Sequence, residues 1–195
     1  MQKTWIKEIY TWPSPRPKDE GISLISKLMN EFPSKFNYVG AELGKEMSLR
    51  MPLTDFFFLQ STLSRKIIDA SSILWELRLI KSNAEIDKIK HICKIASNSF
   101  ENLPSLINKG DSERDIAKKM KIDLISRGAE NIPYLPVVSG EGGVSQIICE
   151  PTNRVLKSGD ILFVDTGSTY DGYFCDFDRN YSIGKASKTV NDVYE

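Results

Sequence analysis

Histidine is almost missing from this chain: His91 is the single one in 195 residues. A His-Glu-x-x-His zinc motif cannot be written with one histidine. A Ser-His-Asp triad would have to use His91 itself. Cysteine is scarce as well. Cys93, Cys149 and Cys175 make an odd, widely spaced set, which excludes a disulfide framework and a cysteine-based zinc site and points to a reducing compartment. Excess charge is lacking too, with 26 Lys and Arg against 26 Asp and Glu. That balance gives no electrostatic case for nucleic acid or an anionic membrane surface. Long apolar runs are missing. Phe56-Phe-Phe-Leu59 is far too short to span a bilayer, and Met1 to Glu8 has no apolar core of a signal peptide. These absences predict a cytoplasmic protein with no nucleic-acid or membrane partner.

What is present reads as alternating short elements. Residues 1–19, with Trp12-Pro-Ser-Pro-Arg-Pro17, form an extended leading segment. Asp19 or Glu20 can cap a helix striped by Ile22, Leu24, Ile25, Leu28 and Met29 and ended by Pro33. A strand at residues 36–40, a helix within 41–51, an aromatic strand at 55–59 and a strand at Lys66-Ile-Ile-Asp69 follow. A junction over 71–82 turns helical. Ser82 and Glu85 then form a capping box. Ile86, Ile89, Ile92, Cys93, Ala96 and Phe100 recur at helical spacing behind it. His91 points away from that face, as a solvated surface histidine does. Cys93 lies on it, as a small buried hydrophobe. Pro104 and Gly110 bracket a loop. Acids at Asp111, Glu113 and Asp115 open a second helix with Ile116, Met120 and Leu124 inward and Gly128 at its end. An irregular edge strand over 132–138, a glycine-rich stretch at 139–144 and a short strand at 146–149 lead into a polar connection. The glycine-rich stretch has no Lys-Ser/Thr ending and carries no phosphate-binding expectation. Helices followed by antiparallel strands indicate an α+β class. A loop at 184–189 and the first turn of a helix at 190–195 close the chain.

The densest chemistry lies in Asp160 to Ile183. Ile161 to Val164 suits a buried strand, and Asp171-Gly172 is a strong hairpin signal. The midpoint of Asp165 and Asp176 falls between Tyr170 and Asp171, inside the turn. Regular pairing about that point places the two carboxylates opposite each other, roughly 4.5–5.5 Å apart at Cβ. Like charges that close repel unless a proton or cation lies between them. The pair therefore suits a hard divalent metal with oxygen ligands. Asp178 is either a further acid behind the pair or a partner for Arg179, and Asp171 is a turn residue.

Several stretches, taken in order, resemble one known family. They are Arg78-Leu-Ile-Lys-Ser82-x-x-Glu85-Ile86, Val138-Ser-Gly140, Glu150-Pro-Thr-Asn-Arg154, Ser158-Gly-Asp160, Val164-Asp165-x-Gly167 and Asp171-Gly-Tyr-x-x-Asp176-x-x-Arg179. The set is similar to the pita-bread metallopeptidases: Xaa-Pro aminopeptidases, prolidases, methionine aminopeptidases and the metal-free relative creatinase. The resemblance implies a small N-terminal creatinase-like domain ending within 1–77. It implies the first half of a pita-bread catalytic domain over 78–195. It implies two divalent ions (Mn, Co or Zn) with Asp165 and Asp176 as the first two ligands, and a His and two Glu further along in the family pattern. On this reading the chain is a fragment, inactive alone, of a metal-dependent hydrolase that cleaves a peptide or related C–N bond in a peptide or small-molecule substrate. A homodimer is also implied. One position departs from the pattern: Ile148 stands where the family carries a histidine, and isoleucine moves no proton. That leaves two alternatives: a non-catalytic module binding peptides or proteins, or an altered-chemistry relative such as a creatinase-like amidinohydrolase or a lyase.

Overall fold

The computed structural model describes residues 5–33 and 35–195. It divides into two compact units, one up to Ile80 and one from Lys81. The leading segment is extended from Trp5 onward, with no helix or strand between Trp5 and Ile22. Residues 1–4 of that predicted segment lie outside the described residues.

The first unit contains α1 (Ile22–Glu31), β1 (Tyr38–Ala41), α2 (Leu53–Thr62), β2 (Lys66–Asp69) and α3 (Ser71–Leu79). β1 and β2 pair in parallel, with Tyr38 beside Lys66 and Ala41 beside Asp69. Parallel strands need a crossover, commonly a helix, and α2 supplies it. The aromatic strand predicted at 55–59 is therefore a helix. Pro52 stands at its N-cap and Asp55 lies in its first turn, where the helix dipole favours an acid. Phe56 and Leu59, three apart, are buried with Ile22 and Ile67, while Phe57 and Phe58 are exposed. The helix predicted within 41–51 does not form either. The Leu43 amide donates to Asp69 Oδ1 (3.2 Å) and the Gly44 amide to Ser71 Oγ (2.8 Å), so side chains of the β2–α3 junction hold this stretch as a loop.

The second unit contains α4 (Asn83–Leu106), α5 (Glu113–Ser126), β3 (Asn131–Tyr134), β4 (Val137–Glu141), β5 (Asp160–Tyr170), β6 (Tyr173–Ser182) and α6 (Lys188–Tyr194). Both long helices begin with capping boxes, Ser82 with Glu85 and Ser112 with Asp115. α4 runs through Pro104, past the predicted break. A proline there leaves the Phe100 carbonyl without its usual amide donor. The Tyr181 hydroxyl donates to that carbonyl instead, at 2.8 Å.

β5 is the central strand. β6 pairs antiparallel along one edge, and β3 and β4 share the other edge end to end. β3 and β4 are thus the predicted edge strand, interrupted at Leu135–Pro136. The predicted strand at 146–149 is absent; the stretch is a series of bends. Its two isoleucines are exposed, so no apolar face anchors it to the sheet. Leu162, Val164, Thr166 and Ser168 are fully buried on one face of β5. Leu162 and Val164 join Ile92, Phe100 and Leu103 of α4 and Ile116, Met120 and Leu124 of α5 in one core. The alternation of β5 sends Asp165 to the opposite face.

Candidate metal centre

The β5–β6 turn sets the register of the site. Asp171 and Gly172 both take positive φ, 47° and 81°, as a two-residue type I′ turn requires. Tyr170 therefore pairs with Tyr173, Gly167 with Asp176, and Asp165 with Asp178. This corrects the register expected from the sequence: Asp176 is the diagonal neighbour of Asp165, and Asp178 is its direct partner. The reason is that the turn is centred between residues 171 and 172, one residue later than the midpoint of the two carboxylates. Side chains two apart on a strand share a face. Asp165, Asp176 and Asp178 consequently project from the same side of the hairpin, away from the helices.

Burial of the Asp165 carboxyl, together with the charges of Asp176 and Asp178, pushes its pKa above the usual carboxylate value. A cation between these groups would relieve both penalties. The donors are carboxylate oxygens, which suits a hard divalent ion. Among the described residues no group of three or more His, Cys, Asp or Glu is arranged to hold a metal.

Tyr134 is a neighbour that sequence reasoning missed. Its hydroxyl donates to Asp176 Oδ1 at 2.6 Å. Burial first, and the Asp176 contact second, raise the pKa of this phenol, so it remains a donor. Gly167 lies beneath the ring. A Cβ there would stand 2.1 Å from Tyr134 Cε1. The sequence held one hint: Tyr134 lies between Pro133 and Pro136, where strand pairing is irregular.

The segment that carries position 148 is anchored behind the sheet. Glu113, almost fully buried, accepts from the amide and hydroxyl of Ser139 (2.7 and 2.7 Å) and from those of Thr152 (2.9 and 2.6 Å). Burial pushes its carboxyl up, but these four hydrogen bonds outweigh that and hold it below the usual value. Arg154 forms a two-pronged ion pair with buried Asp160 at 2.7 and 2.8 Å. Between these anchors and β4, Ile148 projects into solvent, 81% exposed. His91 is exposed on α4 with its ring 4.3 Å from that of Tyr170, in keeping with a surface histidine.

The model of metallopeptidase family M24 matches residues 87–195, more than half of the chain. The chain belongs to this family. It is 28% identical over 160 residues to a probable dipeptidase PepE of Mycobacterium tuberculosis, covering 80% of this chain and 41% of that protein. It is 25% identical over 155 residues to an Xaa-Pro dipeptidase of Pyrococcus furiosus, covering 78% and 44%. The crystal structure of an X-Pro aminopeptidase from Thermotoga maritima superposes with a TM-score of 0.74 at 28% identity, covering 89% of this chain and 47% of that one. The chain therefore spans less than half the length of these relatives. Its fold is α+β, and its structural neighbours are pita-bread peptidases of family M24. Family membership implies use of a divalent metal.

Proposed function

We propose that the full-length protein is a metal-dependent hydrolase that cleaves Xaa-Pro peptides or a related C–N bond, with Asp165 and Asp176 as ligands to a centre of two Mn, Co or Zn ions. Residues 1–77 then belong to a creatinase-like N-terminal domain and residues 78–195 to the first half of the catalytic domain. One observation carries this reading. The hairpin register puts Asp165 and Asp176 on one face as diagonal neighbours, where burial and like charge raise the Asp165 carboxyl. Divalent ions held there would supply Lewis acidity toward a scissile carbonyl and toward water. The chain's own part is to hold the two carboxylates at a fixed spacing on a rigid two-stranded frame.

The test is metal content and Xaa-Pro dipeptide cleavage by the full-length protein and its Asp176→Ala variant. We expect the variant to lose both bound metal and cleavage. Unchanged metal content in the variant would sink the ligand assignment. A second reading, a peptide-binding module or an altered-chemistry relative, is favoured by Ile148. That side chain is exposed beside the anchored segment and can neither donate nor accept a proton.

A further inference from the structure

We propose that Tyr134 is a positioning residue of the metal centre, holding the Asp176 carboxylate by one oxygen so that the other is presented to the cation. The inference rests on the reading of Asp176 as a ligand and names the device that orients it.

Three features of three strands converge on this contact. The first is a register shift in β3. Asn131 pairs with Thr169 and Tyr134 with Gly167, so three steps along β3 match two along β5. In a regular strand, residues three apart point to opposite faces. The extra residue re-aims Tyr134 onto the face of Asp165 and Asp176, as bulges commonly re-aim side chains. The second is Gly167, whose missing side chain leaves the space the ring occupies. The third is the contact itself, at 2.6 Å. It is the hydrogen bond that the Asp176 side chain receives among the described residues, and it reaches Oδ1 alone.

Tyr134 is 40% exposed, so its ring is not a core residue that the fold needs for packing. The contact instead restricts a carboxylate on the solvent-facing side of β6. A carboxylate with one oxygen engaged by a neutral donor loses rotational freedom but keeps its negative charge. Binding a cation then has less side-chain freedom to remove. Groups that hydrogen-bond metal ligands commonly change metal affinity by roughly 10–100-fold.

The test is calorimetric titration of Mn²⁺ into metal-stripped, full-length protein, comparing wild type, Tyr134→Phe and Asp176→Ala. Tyr134→Phe keeps the ring on Gly167 and removes the hydroxyl. We expect its Kd for Mn²⁺ to rise about tenfold or more, with the melting temperature of the metal-free protein unchanged and cleavage restored by excess Mn²⁺. Wild-type affinity in Tyr134→Phe, with affinity lost in Asp176→Ala, would overturn the positioning role and leave the ligand assignment standing. Wild-type affinity in Asp176→Ala would overturn the ligand assignment itself. A lowered melting temperature in Tyr134→Phe with unchanged affinity would make the contact structural only.

Discussion

The ring of Tyr134 lies on Gly167, where an added Cβ would stand 2.1 Å from Cε1. No van der Waals contact survives at that distance, so one partner must move. The ring carries the hydroxyl that reaches Asp176, so a side chain at position 167 disturbs the candidate ligand from the neighbouring strand.

Gly167→Ala is expected to destabilise the protein by about 1–3 kcal/mol, the usual range for overpacking. Combining it with Tyr134→Ala should cost less than the sum of the two single changes, because the clash disappears with the ring. Chemical denaturation of the four proteins checks this. Strict additivity would mean that the ring does not occupy the space above Gly167.

Glu113 joins α5 to β4 and to the segment ending at Thr152. In Glu113→Gln the amide group turns donors toward donors, and a loss of about 2–3 kcal/mol follows. Hydrogen exchange should quicken at the Ser139 and Thr152 amides. The pH dependence has a definite sign. The folded carboxyl lies below its ordinary value of 4.5. Its contribution is therefore complete above that value and is lost as pH falls through the folded pKa. Below pH 4.5 the gap in stability between wild type and Glu113→Gln should narrow. A gap independent of pH would contradict a charged Glu113 in the fold.

Position 148 separates the two functional readings. With metal supplied, Ile148→His in the full-length protein is expected to raise kcat/KM on an Xaa-Pro dipeptide by about a hundredfold, the low end of general acid–base effects. The pH profile should gain a limb near an imidazole pKa of about 6.5. A variant that binds metal yet gains neither rate nor limb would favour the binding module or the altered chemistry.

The second unit was the more legible half because its signals are local. Ser82 with Glu85 and Gly128 after Arg127 are contacts within a single turn, and the structure places both as expected. In the first unit, Phe56 to Phe58 carry strand propensity, but a parallel β1–β2 pair needs a crossover and the segment is helical. Pro104 reads as a break in the sequence because its hydrogen-bond deficit is local. The donor that makes up the deficit, Tyr181, is on β6. The candidate site divides in the same way. The ordered motifs pointed to Asp165 and Asp176 and to the departure at Ile148. For Tyr134 the sequence offered only its flanking prolines and for Glu113 only its place in the first turn of a helix, since each acts through partners on other elements.

The sequence by itself determined that Asp165 and Asp176 flank a hairpin turn, because Asp171-Gly172 can take two positive φ angles where most residues cannot. Only the tertiary structure decided what each carboxylate faces. A turn centred one residue later moved the direct partner of Asp165 to Asp178. A bulge on the opposite edge strand brought Tyr134 over Gly167 to Asp176. Strand register is fixed by pairing across the sheet, and a shift of one residue exchanges every neighbour.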